Sequence, residues 1–270
     1  MDEKSLENKQ LLLRFALTNS HLHTIHPEAF RVAPQLRSIM LSSNDLTSLP
    51  ARVFSSLADL EQLFLDGNLL ETLAPDMFDG LVSLQYLDLS RNKLSSPTLP
   101  STIFHSLTKL VNLVIYNNEL EELDPGLFQD LVNLRELRLN HNQIASLPPQ
   151  VFKALGNLEI LTLSSNELQT IPEKSFYYMP KMTHLTLYNN PLISLPYELM
   201  GHMPDVEEFY LFFLCLISYG FVLRLQTRRI LQFVNKILNI FPICISVFAL
   251  LTAKLVTSDG RQILCPSLKW

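Results

Sequence analysis

Pairs of apolar residues separated by one variable residue recur along most of this chain. The second member of each pair returns every 24 residues, at Leu17, Leu41, Leu65 and Leu89. After one step of 26 residues the series continues at Ile115, Leu139, Leu163, Leu187 and Leu211. Alternation with a period of two is typical of a short strand that buries one face. The pattern therefore predicts one short strand per repeat, with the strands stacked into a parallel sheet.

Two further columns of residues recur with the same period behind the predicted strands. An asparagine follows the apolar pair at Asn44, Asn68, Asn92, Asn118, Asn142, Asn166 and Asn190, and Ser20 takes its place in the first unit. A large apolar residue follows at Phe30, Phe54, Phe78, Phe104, Phe128, Phe152, Phe176 and Met200. An asparagine amide can bond backbone groups that a turn leaves unpaired, and large apolar side chains can fill the space behind a sheet. We therefore expect both columns to be structural rather than binding residues.

Eight units fit the template LxxLxLxxNxLxxLxxxxFxxL, starting at Leu12, Leu36, Leu60, Leu84, Leu110, Leu134, Leu158 and Met182. The pattern identifies a leucine-rich repeat solenoid, an α/β-type repeat with a curved parallel sheet on its concave face. Loops, turns and short helices are expected on the convex face. We predict an uncapped leader over residues 1–11, the eight repeats over 12–205, the start of a ninth over 206–211, and an apolar basic tail over 212–270.

The 24-residue spacing with a phenylalanine in the rear arc resembles the typical class of leucine-rich repeats, found mostly in secreted and cell-surface proteins. The segments LEQLFLDGNLLETL (60–73) and LTLYNNPLISLPYELMGHMP (185–204) are most similar to the glycoprotein V members of this class, and next to the regulatory subunits of carboxypeptidase N. The resemblance implies an extracellular, non-catalytic protein-binding solenoid of the adhesion or receptor-complex type. The chain departs from the class in having no cysteine-rich caps, no N-x-[ST] sequon and no signal peptide in MDEKSLENKQ. A regulatory subunit of a secreted enzyme and a cytosolic scaffold are the alternative functions.

Charge and cysteine content change abruptly near residue 208. Residues 1–208 carry 14 basic and 25 acidic side chains, whereas residues 209–270 carry seven basic side chains, one acidic side chain and all three cysteines. The tail contains uncharged runs over 209–223 and 237–253, and a membrane span needs roughly 17–25 residues. Three interpretations stay open: the tail is not a native continuation, it forms a membrane hairpin through these two runs, or it folds as an apolar cap over the last repeat.

The strand residues that flank the buried leucines are expected to face solvent on the concave side of the solenoid. Aromatic and arginine side chains gather at these positions in the middle repeats. Such side chains dominate protein interfaces because they bury a large area and keep a polar group. We therefore predict that they contact a protein partner, and scattered surface residues are the alternative interpretation. The candidate residues are Phe64, Tyr86, Arg91, Tyr116, Arg138, His141 and Tyr188.

Signatures of catalysis are missing from the sequence, which has no G-x-S-x-G, no H-E-x-x-H and no phosphate-binding loop, and no cysteine in its repeats. We expect no enzyme activity, no cofactor and no nucleic-acid ligand. His21, His23 and His26 form H-x-H-x-x-H, but no carboxylate or thiolate completes a convincing ligand set, so no metal is predicted. The acidic run over 119–124 is interpreted as a solvated turn, with the steering of a basic partner as the alternative.

Overall fold

The computed structural model describes residues 1–96, 99–196, 199 and 201–211. Residues 212–270 lie outside the described residues, and so does Met200 of the apolar column. The second uncharged run and nearly all of the first therefore fall beyond the description, and the three interpretations of the tail stay open. In the part of the chain that is described, no helix has the length and apolar character that a membrane crossing requires.

Nine three-residue strands form one parallel sheet in chain order. They are β1 (Arg14–Ala16), β2 (Ser38–Met40), β3 (Gln62–Phe64), β4 (Tyr86–Asp88), β5 (Asn112–Val114), β6 (Glu136–Arg138), β7 (Ile160–Thr162), β8 (His184–Thr186) and β9 (Glu208–Tyr210). Each strand residue lies opposite its counterpart in the next repeat, as Leu63 does with Leu87. The predicted solenoid of stacked coils is confirmed.

The two extra residues of the fourth unit leave the sheet register intact, because Leu87 of β4 still lies opposite Leu113 of β5. Where the longer loop begins, it is held against the next repeat. The hydroxyl oxygen of Ser96 accepts the backbone N–H groups of Glu121 and Glu122 at 2.8 and 2.7 Å, and the hydroxyl donates to the carbonyl of Glu122 at 2.6 Å. The acidic run is therefore anchored through its backbone, while its glutamate and aspartate side chains are exposed.

The interior of the solenoid is a continuous column of leucine and phenylalanine side chains. Some neighbouring phenylalanine rings lie nearly parallel, with centroids 6.3 Å apart for Phe78 and Phe104 and 6.2 Å apart for Phe128 and Phe152. Full burial of an apolar side chain of this size contributes roughly 1.5–3 kcal/mol. Because the buried side chains of all the repeats form one core cluster, each repeat completes the core of the next.

The asparagine column forms a ladder of buried hydrogen bonds between repeats. The Oδ1 atom of Asn68 accepts the N–H of Leu46 in the preceding repeat at 3.2 Å. Its Nδ2 atom donates to the carbonyls of Leu41 and Leu65 at 2.9 and 3.0 Å. The same pattern recurs at Asn92, Asn118, Asn142, Asn166 and Asn190. Asparagine suits this position because one short side chain supplies both an acceptor and donors.

The residue before each ladder position adopts a left-handed backbone conformation, which the sequence analysis did not identify. The φ angles lie between 50° and 64° at Asn19, Ser43, Gly67, Arg91, Asn117, His141, Ser165 and Asn189. This turn lets the N–H of each residue reach a carbonyl of the next repeat, as for Arg91 with Tyr116 at 2.9 Å. Glycine and asparagine accept the conformation readily, whereas other residues lose roughly 1–2 kcal/mol.

The rear arcs of the described repeats consist mainly of turns. In the second repeat the N–H of Ser55 donates to the carbonyl of Arg52 at 3.0 Å, and the N–H of Leu57 donates to that of Phe54 at 3.0 Å. Residues 1–11 form a similar arc that packs against the first repeat. The amino group of Met1 donates to the carbonyl of Thr24 at 2.8 Å, and Leu6 is buried in the core.

Candidate functional site

The strands present one face of side chains outside the leucine core, and we call this surface the open face. It consists of the first and third residues of each strand and the second residue after each strand, because these positions alternate with the buried leucines. In the third repeat, Leu63 and Leu65 are buried, whereas Gln62, Phe64 and Asp66 lie on the open face.

The expectation that every such position faces solvent is wrong at several positions with small side chains. Ser38 is 3% exposed, Ser90 1%, and Val114 4%. They are small, and they lie in a sheet whose other positions carry side chains as large as those of Tyr86 and Arg138. The accessible part of the open face is therefore smaller than the alternation of residues predicts.

An aromatic pair occupies the middle of the open face. The rings of Phe64 and Tyr86 have centroids 4.9 Å apart and planes inclined by 33°. Their strands β3 and β4 are adjacent, and both side chains are partly exposed. Burial raises the pKa of the Tyr86 phenol to about 12, and the negative charges of Asp88 and Glu136 act in the same direction. Tyr86 is therefore a neutral ring with a hydroxyl group at physiological pH.

A second pair of candidate residues meets at the edge of the open face, where β4 and β5 end. The Nε and Nη2 atoms of Arg91 donate to the Tyr116 hydroxyl oxygen at 3.0 and 2.8 Å. The guanidinium carbon also lies 5.6 Å from the centre of the Tyr116 ring. The left-handed backbone of Arg91 (φ 53°) sets where its side chain leaves the turn. The contact thus holds an arginine and a tyrosine side by side on an accessible surface.

The remaining three candidates lie on later repeats. Arg138 forms an ion pair with Glu136 on its own strand, and the other carboxylate oxygen of Glu136 accepts from Nδ2 of Asn112 at 2.6 Å. His141 is exposed at a left-handed position (φ 55°). Tyr188 is 36% exposed and lies three strands beyond Tyr116, roughly 14 Å away at about 4.8 Å per strand. The structure therefore joins four of the seven candidates in two pairs, and places the other three on later repeats.

Two carboxylates beside the aromatic pair were not among the predicted site residues. Oδ1 of Asp66 accepts the hydroxyl of Ser42 at 2.5 Å. Oδ1 of Asp88 accepts the N–H and the hydroxyl of Ser90 at 2.9 and 2.6 Å. Burial raises the pKa of Asp88, against the lowering effect of its hydrogen bonds to Ser90. The 22-residue offset between Asp66 and Asp88 was the signal in the sequence, because it places Asp66 just after β3 and Asp88 at the end of the adjacent strand β4.

Other features singled out from the sequence lie off the open face. His21 has its Nδ1 atom 3.0 Å from Oδ2 of Asp45, and His26 accepts the N–H of Glu28 at 3.2 Å. A hollow of about 570 Å³ is lined by Met1, Thr24 and neighbouring residues at the first repeat. Among the described residues, no group of three or more histidine, cysteine or acidic side chains is placed to hold a metal ion.

Comparison with known proteins gives matches over most of the repeat region. A family model described as "Leucine rich repeat" matches residues 10–70, 34–94, 98–144 and 133–192, and a second model of that description matches 83–106. A search of curated proteins finds no match.

Three solved structures are similar in fold. A chain of the Drosophila Toll–Spatzle complex is 26% identical with a TM-score of 0.66, over 78% of this chain and 31% of that chain. A chain of the TLR13–ssRNA13 complex is 28% identical with a TM-score of 0.69, over 74% and 29%. A chain of the complex of latrophilin 3, Unc5D and FLRT2 is 24% identical with a TM-score of 0.57, over 68% and 63%. This protein thus spans about a third of the first two chains and less than two thirds of the third.

Proposed function

Because this chain belongs to the leucine-rich repeat family, we propose that it is a non-enzymatic recognition module that binds a protein partner through its open face. The observation that carries the proposal is the pairing of Phe64 with Tyr86 on that face and of Arg91 with Tyr116 at its edge. Tyrosine and arginine are enriched among the residues that dominate binding energy at interfaces. Here each pair is already ordered in the unbound chain, so little side-chain entropy is lost on binding.

The comparisons support a protein partner. A chain of the Toll–Spatzle complex, an assembly of two proteins, is similar to this chain over most of the repeats. The TLR13 structure contains single-stranded RNA, which raises RNA as another class of ligand. Nucleic-acid binding depends on basic side chains that neutralise phosphates. Residues 1–208 carry 25 acidic side chains against 14 basic ones, so the charge of the repeats favours a protein over RNA.

An adhesion or receptor-complex role at the cell surface is the specific form of this proposal. A regulatory subunit of a secreted enzyme, or a cytosolic scaffold, would use the same face for a different partner. Expression of the tagged full chain, and of a chain ending at residue 211, distinguishes these locations. We expect the chain outside the cell or at its surface, and confinement to the cytosol would contradict the extracellular form.

The binding proposal is tested by screening the full chain against an array of secreted and cell-surface ectodomains. Each hit is then measured against the triple variant Phe64→Ala, Tyr116→Ala, Arg138→Ala. A matched control carries Tyr177→Ala, Tyr178→Ala and Arg31→Ala, which likewise remove two aromatic side chains and one arginine, in this case from the rear arcs. We expect at least about tenfold weaker binding for the open-face variant, equivalent to about 1.4 kcal/mol, and unchanged binding for the control. Hits that tolerate the open-face variant would contradict the proposal.

A further inference from the structure

The proposed function does not say which chemical groups of the partner contact the open face. The carboxylates beside the aromatic pair indicate the charge of one such group. We infer that the open face receives a basic side chain of the partner, with its aliphatic stem over Phe64 and Tyr86 and its cation at Asp66 and Asp88. The inference rests on the proposed function, since it names the kind of group that the open face takes.

The sheet register places these four side chains in one row of neighbouring positions, with Tyr86 at one end and Asp66 at the other. Phe64 lies directly opposite Asp88 across β3 and β4. Asp66 follows Phe64 by two residues and Tyr86 precedes Asp88 by two, so all four lie on the open face. Adjacent strands are about 4.8 Å apart, and two residues along a strand span about 6.6 Å. An arginine or lysine side chain is long enough to cross the rings and reach both carboxylates.

Both carboxylates keep acceptor capacity for an incoming cation. The hydrogen bonds from Ser42 and Ser90 all end on Oδ1 atoms. Each carboxylate has a second oxygen that can accept further donors. The serine contacts also fix the direction of the carboxylates, which lowers the entropy lost when a cation binds.

The neighbouring cations of this surface are engaged elsewhere. Arg138 pairs with Glu136, and Arg91 donates twice to the Tyr116 hydroxyl. The aspartates therefore form a site of negative charge that its surroundings neutralise only in part. Its partial burial strengthens attraction to a cation, because the effective dielectric constant is lower than in water.

The aromatic rings and the overall charge favour the same kind of partner. Arginine and lysine stack their stems and cationic groups on aromatic faces, a contact worth roughly 0.5–2 kcal/mol. The excess of acidic over basic side chains in residues 1–208 attracts a basic partner over a longer distance. Short-range contacts and long-range charge thus select a basic protein segment.

A random peptide library displayed on phage, selected on the immobilised full chain, supplies the probe. We expect enrichment of arginine or lysine among flanking apolar residues. The best peptide is then synthesised and measured against the double variant Asp66→Asn, Asp88→Asn, which keeps both serine contacts while removing both charges. The control Glu119→Gln, Glu121→Gln removes two charges from exposed positions off the open face. We expect about tenfold or greater loss of affinity for the first variant and less than about twofold for the second.

The outcomes separate this inference from the proposed function. If acidic peptides are selected and Arg91→Gln abolishes their binding, the inference of a basic partner side chain is wrong. The open face would still be the binding surface. Basic peptides that bind both double variants equally would also overturn the inference. Failure to enrich any peptide overturns it as well, while the ectodomain screen still decides the proposed function. Selected peptides and ectodomain hits that all tolerate the open-face triple variant would overturn both.

Discussion

Replacement of one ladder asparagine should destabilise the solenoid far more than replacement of an exposed asparagine. Asn166 is 6% exposed, and its Oδ1 atom accepts the N–H of Ile144 at 3.0 Å. Its Nδ2 atom donates to the carbonyls of Leu139 and Leu163 at 2.9 and 3.0 Å. Asn166→Ala leaves the buried N–H of Ile144 without a partner, whereas the two carbonyls lose one donor each and keep the Nδ2 donors of the neighbouring ladder asparagines. A buried group left without a partner costs about 1–3 kcal/mol, and each further lost hydrogen bond costs about 0.5–1.5 kcal/mol, so we expect a loss of about 3 kcal/mol.

Urea denaturation followed by circular dichroism measures this loss. With a slope of about 3 kcal/mol per M, the midpoint should fall by about 1 M. The control is Asn133→Ala, because Asn133 is exposed and makes a single side-chain bond to the carbonyl of Thr108 at 2.8 Å. It should cost less than about 1 kcal/mol. Amide exchange of Ile144 should also accelerate in Asn166→Ala. Equal midpoints for the two variants would refute the structural role of the ladder.

Three further predictions concern single positions. Gly80 has φ +86°, and an added Cβ would lie 2.8 Å from a carbonyl oxygen of the preceding repeat, so Gly80→Ala should lower stability by about 2 kcal/mol in urea melts. Gly156→Ala is its control, because the nearest atom is 3.8 Å away, and an equal effect of the two would count against the argument. Because the fold raises the pKa of Asp88, its ionisation weakens folding as pH rises. Asp88→Asn should therefore gain stability relative to the original chain between about pH 3 and pH 7, and a pH-independent difference would argue against this. Tyr86 should stay protonated at about pH 11 in an NMR titration of labelled tyrosines. Asp88→Asn should lower the pKa of Tyr86, because it removes a nearby negative charge. Ionisation of Tyr86 near the ordinary value of 10 would contradict its burial beside Asp88.

The regular parts of the fold followed from residues that repeat. The spacing of Leu63 and Leu87 predicts adjacent strands, because a leucine that recurs at a fixed spacing has the same buried environment in every coil. The recurrence of asparagine at positions such as Asn68 predicts the ladder, because the backbone groups that it bonds recur in each repeat. Periodicity predicts whatever the repeats share.

The left-handed position before each ladder residue shows where such prediction stops. Its occupants include serine, glycine, arginine and histidine, and the backbone imposes the conformation whatever the side chain. Gly67 and Asn117 were the available hints, because these residue types tolerate positive φ. The conformations of Arg91 and His141 could not be deduced from their own identities.

The open face was harder to predict, because the exposure and charge of each position depend on neighbours in other repeats. Val114 is the third residue of its strand, a position that carries both apolar and charged residues elsewhere, and its burial depends on the side chains around it. The carboxylates of Asp66 and Asp88 can be recognised as part of a site only once the strand register shows that they lie beside the aromatic pair. Choosing residues by type found Phe64 and Tyr86, but missed the charges beside them.

Hydroxyl-radical footprinting of the full chain, with and without its strongest ectodomain binder, tests recognition through the open face most directly. The account predicts that the binder protects Phe64, Tyr86 and Tyr116 from oxidation, while the exposed ring of Tyr177 on the rear arc keeps its reactivity. Protection of Tyr177 with unchanged oxidation of the three open-face rings would contradict it.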